Sequence, residues 1–278
     1  MIILIPPYIK DPPMVYEYFD KIVCINLKER PEKKEWVQKL AKKHGIPVEF
    51  YEVERHMEGG MVGCFESHLN IIRSCYQDHL KNVLIFEDDF SPTSSFTNEI
   101  LMNVISFLKS NPQYEYFQLG YTIIPTEIPT FITCKNLAPH ILKYNGNTTH
   151  SYIMSRKGMK RVLETHSKYF KKIDLDLYYK EIFKNNGACV YPLLFDQNFC
   201  LESDNLQATS GYYSFLREIA CTVYQYSIVY GISLFRFYFL WIFSIFFFLV
   251  LIIYFIVFYK GFRSSYSLIS KNKKINNK

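Results

Sequence analysis

The sequence predicts an α/β domain over residues 1–215, because strand-like runs alternate there with amphipathic helical segments. One strand-like run, NVLIF at residues 82–86, is wholly apolar. Such a strand is typical of a parallel sheet that carries helices on both faces. Near the C-terminus, residues 237–259 carry no charge over 23 positions. This run predicts a separate transmembrane helix, because a bilayer core needs about 20 apolar residues.

The first half of the domain predicts two strands and two helices. The run KIVCINL at residues 21–27 is rich in β-branched side chains, which favours a strand. Pro31 stands at a preferred first-turn position of a helix that Gly45 closes. Residues 48–53 predict a second strand. The Gly59-Gly60 pair then precedes a helix in which apolar residues recur at helical spacing.

The second half continues the alternation. The apolar strand at residues 82–86 is followed by a predicted helix at about 98–110. Further strands are predicted at residues 114–119 and 150–154. Ser155 is then a predicted N-cap for a helix that runs through residue 164.

The net charge of +6 belongs to the C-terminal tail. Residues 260–278 contain six Lys and Arg residues and no acidic residue. The other 26 basic residues balance the 26 acidic ones. An electrically balanced body argues against a basic nucleic-acid-binding domain, so we expect no nucleic-acid partner.

The membrane topology follows from the segments around residues 237–259. A basic tail after the span favours a cytoplasmic position for residues 260–278. The N-terminus lacks the basic region and the long apolar core of a signal peptide. Residues 216–236 are predicted to be an apolar linker or an interfacial helix. With a single span, a cytoplasmic tail would place the α/β domain on the far side of the membrane, although no signal peptide is predicted to carry it there. We therefore expect residues 219–235, which are uncharged and apolar, to form a second, interfacial or re-entrant helix, so that the domain and the tail both lie in the cytosol with the tail on anionic lipid.

The strongest chemical feature is the acidic triplet Glu87-Asp88-Asp89, which follows the apolar strand directly. Three adjacent carboxylates are costly to bury without a cation, because like charges raise one another's pKa. Ligand sites of open α/β sheets lie at the carboxyl ends of strands. Hard oxygen ligands there suit Mg²⁺ or Mn²⁺ on a substrate diphosphate. The alternative is a solvated acidic turn, which the pattern leaves equally open.

A second candidate site lies at the start of the helix after Gly60. Gly60 and Gly63 permit close approach of the backbone to an anionic group at a helix N-terminus. His68 lies on the apolar face of the same helix, where a core histidine is the commoner alternative to a ligand. Cys64 is interpreted as a packing residue, in line with seven widely spaced cysteines that form no Cys-x-x-Cys pair.

Three later residues leave two interpretations open. Asp174 and Asp176 cap the following helix, or one of them serves as a general base or binds the acceptor of a transferred group. His150 is either a metal ligand or an ordinary strand residue.

Taken in order, these features resemble glycosyltransferase family 25, which includes lipopolysaccharide-biosynthesis and procollagen galactosyltransferases. The resemblance covers residues 21–205. Its blocks are Ile25-Asn26-Leu27 with Arg30, Gly60-x-x-Gly63-Cys64-x-x-Ser67-His68, Leu84-Ile85-Phe86-Glu87-Asp88-Asp89, Thr149-His150-Ser151-Tyr152 with Ser155-x-x-Gly158, Ile173-Asp174-x-Asp176-Leu177, and Gln197 with Ser203-Asp204. Lys33 departs from an arginine that is frequent in the family, and Met61 departs from an acidic residue.

The resemblance implies a GT-A-like fold of the Rossmann type and an inverting transfer. The donor would be a UDP-sugar carrying galactose or a related hexose, and the acceptor a glycan, a glycolipid or a protein. The implied cofactor is Mn²⁺ (or Mg²⁺). The implied donor-binding residues are Asn26, Leu27, Arg30, Gly63, Ser67 and His68. The implied metal ligands are Glu87, Asp88 and Asp89, with Asp89 the foremost, and His150.

The implied catalytic residues are Asp174 and Asp176, because an inverting transfer needs one carboxylate to take the acceptor proton. Two other functions compete with a membrane-attached glycosyltransferase. One is a non-catalytic nucleotide-sugar-binding membrane protein of the same fold, which would not need an intact acidic triplet. The other is a metal-dependent phosphoesterase, which the scattered positions of the seven histidines disfavour.

Overall fold

The computed structural model describes residues 14–123, 127–198, 244–252 and 254. Contacts divide the chain into two compact units, Met1–Ser233 and Leu234–Lys278. The first unit contains the predicted α/β domain. The predicted linker at 216–236 and the basic tail at 260–278 lie outside the described residues.

The first unit contains ten strands and six α-helices among its described residues. The strands are β1 Lys21–Leu27, β2 Glu49–Val53, β3 Asn82–Glu87, β4 Phe90–Pro92, β5 Tyr116–Gln118, β6 Asn136–Ala138, β7 Ile141–Leu142, β8 Ser151–Ser155, β9 Gly187–Val190 and β10 Phe195–Gln197. The helices are α1 Pro31–His44, α2 Gly60–Gln77, α3 Asn98–Ser110, α4 Ile128–Ile132, α5 Arg156–Thr165 and α6 Leu175–Ile182.

Local signals fix several helix ends. Pro31 opens α1, and Gly45 ends it in the left-handed conformation with φ 66°. Gly59, with φ 97°, turns the chain into α2. The side chain of Ser155 accepts a hydrogen bond from Gly158 N, so the predicted N-cap of α5 is confirmed.

Eight strands form one mixed sheet in the order β2-β1-β3-β8-β5-β9-β7-β6. The pairings β1–β2, β1–β3 and β5–β9 are parallel, whereas β8 and β7 pair antiparallel with both of their neighbours. Six of the eight strands therefore run in one direction, which confirms a mixed, mostly parallel sheet. The strands β4 and β10 form a separate antiparallel pair.

Helices cover both faces of the sheet, as the apolar β3 strand predicts. One core contains apolar residues of α1 and α3, together with Cys24, Leu84 and Phe86 from the strands. The other core contains residues of α2, α5 and α6 against Val83 and Ile85. Alternate residues of β3 thus enter opposite cores, and all four are 0 % exposed. This burial holds the end of β3, and with it the acidic triplet, in a fixed position.

The second unit is described only at residues 244–252 and 254, which are helical. These residues fall within the predicted transmembrane segment 237–259, whose other positions lie outside the described residues. Among the described residues, no helix combines the length and the apolar character needed to cross a membrane.

Candidate active site

The ends of β1, β2 and β3 and the start of α2 surround an open pocket of about 680 Å³. The parallel strands β1 and β3 end side by side, with Ile25 paired to Glu87. The pocket brings together predicted site residues from three separate segments. They are Leu27, then Gly63, Ser67 and His68, and then Glu87, Asp88 and Asp89.

Asp88 is held inside the protein by two partners. Its Oδ1 lies 3.1 Å from Lys33 Nζ, and its Oδ2 accepts a hydrogen bond of 3.0 Å from Asn26 Nδ2. Burial raises the pKa of Asp88, and the Lys33 ammonium partly offsets that effect. Both carboxylate oxygens of Asp88 are therefore engaged by protein donors, and Asn26 orients Asp88.

Glu87 faces the pocket beside His68. Its Oε1 accepts a hydrogen bond of 2.6 Å from Thr149 Oγ1 and lies 3.5 Å from His68 Nε2. Burial by itself would raise the pKa of Glu87. The neighbouring His68 ring and the Thr149 hydroxyl outweigh burial, so the pKa of Glu87 lies below its usual value. Glu87 is therefore a carboxylate that stays ionised in the protein.

Asp89 is the least satisfied member of the triplet. Its Oδ2 accepts a hydrogen bond of 3.2 Å from Gln197 Nε2, whereas its buried Oδ1 has no partner. Burial, with the charges of Glu87 and Asp88, raises the pKa of Asp89 to about 8. A buried carboxylate oxygen without a donor fits a position that a cation would satisfy.

Both ring nitrogens of His150 have protein neighbours. Its Nδ1 lies 2.9 Å from Thr148 Oγ1, and its Nε2 lies 3.4 Å from Phe195 O. Burial lowers the pKa of His150 to about 4, so the ring is neutral at pH 7. Gly120 packs against the ring, since a Cβ there would lie 2.1 Å from Nε2. His150 is a packed residue behind the site.

The predicted donor-binding residues on α2 line the pocket in different ways. Ser67 donates its hydroxyl to Gly63 O within the helix. Gly63 leaves room for the loop before α2, because a Cβ there would lie 2.9 Å from His56 Cβ. His68 is 1 % exposed and keeps its Nε2 without a hydrogen-bond partner. The predicted donor residue Arg30 precedes α1, and its Nε bonds to Glu32 at 2.6 Å.

Asp174 and Asp176 flank the start of α6. Asp174 is exposed at the N-cap and makes no capping hydrogen bond with its side chain. Asp176 accepts hydrogen bonds from Leu177 N at 2.8 Å and Thr148 N at 3.3 Å. Burial raises the pKa of the pocket residue Cys64, and nearby carboxylates raise it further. Those carboxylates are Glu87, Asp176, Asp89 and Asp174. The start of α6 packs in the same core as α2, through Leu175 and Phe65.

Comparison with known proteins matches the part of the chain that carries α2, the acidic triplet and the start of α6. Residues 51–178 match the model of "Glycosyltransferase family 25 (LPS biosynthesis protein)". A "Glycosyltransferase 25 family member" of Drosophila melanogaster is 28% identical over 174 residues, covering 52% of this chain and 28% of that protein. Its counterpart in Drosophila pseudoobscura pseudoobscura is 26% identical over 187 residues, covering 56% and 29%. Residues 51–178 are thus similar to glycosyltransferase family 25.

The chain spans less than a third of the length of these curated relatives. Among solved structures, a glycosyltransferase involved in glycosylation of the major capsid of PBCV-1 gives a TM-score of 0.41 at 13% identity, over 66% of this chain and 96% of that one. The glycosyltransferase GlyE in Streptococcus pneumoniae TIGR4 gives 0.38 at 11% identity, over 72% and 58%. Both likenesses are remote.

The pocket relies on three contacts that motif reasoning does not assign. Lys33 neutralises Asp88, Thr149 positions Glu87, and Gln197 holds Asp89. Thr149 and Gln197 belong to blocks of the family resemblance, and Lys33 stands at a position that is basic in that pattern. These blocks therefore carried a usable signal, although not the identity of the contacts.

Proposed function

We propose that this chain is a membrane-attached, metal-dependent, inverting glycosyltransferase with a GT-A-like domain. It would move galactose or a related hexose from a UDP-sugar to a glycan, lipid-linked or protein acceptor. One observation carries the proposal: Glu87 and Asp89 share a pocket in which the buried Asp89 Oδ1 has no partner. A carboxylate pair of this kind fits a divalent cation and the diphosphate of a nucleotide-sugar.

Glu87 and Asp89 would hold Mn²⁺ (or Mg²⁺), because Asp88 is engaged by Lys33 and Asn26. When bound, the cation would neutralise negative charge on the departing nucleoside diphosphate. Thr149 fixes Glu87 and Gln197 fixes Asp89, so neither carboxylate needs to reorganise. The resemblance to the family supplies the choice of UDP, and the donor set of two hard oxygens supports the choice of metal.

The start of α2 would receive the diphosphate. The helix has 18 residues and no acidic residue in its first turn, so its free N–H groups and its dipole favour an anion there. Leu27 and Gly63 line the same pocket. The β1 and α2 segments together would therefore hold the donor.

Asp174 is the better placed of the two candidate bases. Asp176 receives two backbone N–H groups, which hold its carboxylate in place, whereas Asp174 is exposed and makes no capping bond. An acceptor hydroxyl at the pocket could therefore reach Asp174 without displacing a protein donor. Inversion proceeds in one displacement, so a single base suffices.

Membrane attachment rests on the sequence of residues 237–259, which is long enough to span a bilayer core, and on the six basic residues that follow. We place the α/β domain and the tail on the cytosolic side, where a basic tail would meet anionic lipid. With residues 237–259 as a span, this placement requires that the apolar residues 219–235 also enter the membrane as a second, interfacial or re-entrant helix.

The decisive test is UDP-sugar hydrolysis and transfer by Asp89→Asn with Mn²⁺. The loss of one ligand should lower kcat/KM at least about 100-fold, which corresponds to about 3 kcal/mol of lost transition-state stabilisation. Asp78→Asn is the matched control, because Asp78 is exposed at the end of α2. Asp174→Asn should lower transfer more than Asp176→Asn. Equal activity of wild type and Asp89→Asn would reject the metal assignment.

The same assay distinguishes the proposed enzyme from the alternative, a non-catalytic nucleotide-sugar-binding membrane protein. Metal-dependent binding of nucleotide-sugars without turnover of any donor in a broad screen would favour that alternative. Product identification in the screen would define the sugar and the linkage.

A further inference from the structure

We propose that Cys64, His68 and Glu87 form a second cation site, one that prefers Zn²⁺. Cys64 and His68 stand four residues apart on α2 and so lie on one face of that helix. Glu87 meets them from the end of β3. One potential ligand atom of each residue lies within 4.8 Å of the other two, and all three residues line the pocket.

The distances are close to those of a zinc centre. Tetrahedral Zn²⁺ has ligand bonds of about 2.0–2.3 Å, which separates neighbouring ligand atoms by about 3.3–3.8 Å. His68 Nε2 and Glu87 Oε1 already lie 3.5 Å apart. A side-chain adjustment of Cys64 would complete the set. Because the three residues face the pocket, the fourth position stays open to water or to an anionic ligand.

A buried histidine nitrogen that faces the cluster supports the site. His68 is 1 % exposed, and its buried Nε2 has no hydrogen-bond partner. Its Nδ1 lies 2.8 Å from Tyr152 Oη, which in turn lies 3.4 Å from Tyr179 Oη. A metal-bound histidine usually donates its other N–H to such an acceptor. Zinc binding would use the tautomer in which Nδ1–H is donated to Tyr152, because the lone pair of Nε2 then faces Cys64 and Glu87.

The ligand types distinguish this site from the proposed manganese site. Thiolate and imidazole ligands favour Zn²⁺, whereas Glu87 with Asp89 offers only the hard oxygens that suit Mn²⁺ or Mg²⁺. Binding forms a Zn–S bond, and the Cys64 proton leaves to solvent. Because both sites use Glu87, Zn²⁺ would compete with the cation that serves the donor diphosphate. Zinc would therefore act as an inhibitor of the proposed glycosyltransferase.

Cobalt substitution tests the site without any sugar donor. Co²⁺ bound to the full chain should give a thiolate-to-cobalt absorption band, and Zn²⁺ should abolish it. Cys64→Ser should lose the band, whereas Cys75→Ser on the same helix should keep it. Asp89→Asn should also keep the band, so failure of the manganese proposal and failure of this one are distinguishable. A band that survives in Cys64→Ser, or no band in the wild type, would overturn the zinc site.

Zinc X-ray absorption of the wild-type chain guards against a variant that fails to fold. One sulfur at about 2.3 Å together with nitrogen or oxygen at about 2.0 Å is the expected shell. A shell of only nitrogen and oxygen would overturn the proposal, whatever the variants do.

Discussion

Lys33 is a buried partner of Asp88, the middle carboxylate of the acidic triplet. It is 3 % exposed, and its ammonium lies 3.1 Å from Asp88 Oδ1. A buried ion pair of this kind adds little net stability, but the loss of one partner leaves a buried charge. The pair therefore engages Asp88, so that Glu87 and Asp89 are the carboxylates proposed to hold a cation.

We predict that Lys33→Met lowers the free energy of unfolding by about 3 kcal/mol at pH 7, because Asp88 is left unpaired in a buried position. Urea denaturation measures the change. Lys39→Met is the control. The Lys39 side chain, which pairs with Glu35, is 72% exposed, so we expect the free energy of unfolding to fall by less than about 0.5 kcal/mol. The double variant Lys33→Met/Asp88→Asn should recover most of the loss. Similar losses for Lys33→Met and Lys39→Met would contradict the buried pair.

The raised pKa of Asp89 predicts that the stability of the metal-free protein depends on pH. Its pKa is raised from 3.8 to about 8, so the folded state keeps a proton that the unfolded state loses near pH 4. The free energy of unfolding should therefore fall as pH rises from about 4 to about 8. Asp196 should change stability in the same direction, because burial raises its pKa to about 7. The contribution of Asp89 is therefore the difference between the wild type and Asp89→Asn.

Urea unfolding at pH 5 and pH 8 measures this effect, and Asp89→Asn should show the smaller pH difference. Mn²⁺ at 100 times its Kd should add about 2.7 kcal/mol at pH 8 in the wild type. It should add much less in Asp89→Asn. Identical pH differences in the two proteins would show that Asp89 does not titrate as the structure indicates.

At the residue scale, the sequence predicts features that lie within one short segment. The triplet after an apolar strand and the glycines before α2 are local patterns, and both reach the pocket. The partners that decide their roles come from far along the chain. Lys33, Thr149 and Gln197 are 55, 62 and 108 residues away from the carboxylates they contact. Spacing along the chain carries no signal for such contacts.

The same difference between local signals and distant contacts holds for the helices and strands. The predicted strand at 21–27 and the helix at 98–110 agree with β1 and α3 at both ends. The pair β4 and β10 was not predicted, because three residues give too few positions for an alternating pattern. Yet this pair sets Gln197 opposite Phe90, next to Asp89. Short strands that lack a periodic signal therefore complete the site.

We predict that Gly158→Ala destabilises the protein, although Ala normally stabilises a helix interior by about 1 kcal/mol relative to Gly. A Cβ at position 158 would lie 2.5 Å from Glu115 O, which already accepts a hydrogen bond from Ser155 N. The start of α5 would have to move away from the segment before β5. We expect a loss of about 1–3 kcal/mol in urea denaturation.

Lys157→Ala is the control for that substitution, because Lys157 is exposed in the same turn of α5. It should change stability by less than about 0.5 kcal/mol. A Gly158→Ala protein as stable as the wild type would mean that α5 and Glu115 are not packed as closely as the structure places them.

At the scale of the whole molecule, the chain divides into units that carry different properties. The sheet and its two cores lie in the unit Met1–Ser233, and the uncharged run lies in Leu234–Lys278. The second unit contains Lys and Arg but no acidic residue, so the net positive charge of the chain comes from it, whereas all Asp and Glu residues lie in the first unit. Truncation of the chain should therefore separate the proposed membrane attachment from the proposed sugar-transfer chemistry.

We predict that the full chain floats with lipid vesicles and that residues 1–233 do not. A helix over residues 237–259 would be about 34 Å long and could cross a bilayer core of about 30 Å. Residues 1–259, which lack the basic tail, should still float after a high-salt wash, because insertion does not depend on charge. Loss of that fraction in salt would instead assign binding to the six basic residues, which contribute about 1 kcal/mol each near anionic lipid.

Residues 1–233 should keep the thermal midpoint of the first unit and its Mn²⁺-dependent hydrolysis of UDP-sugar. A truncated chain that still floats would place the membrane contact in the first unit and contradict this division of roles.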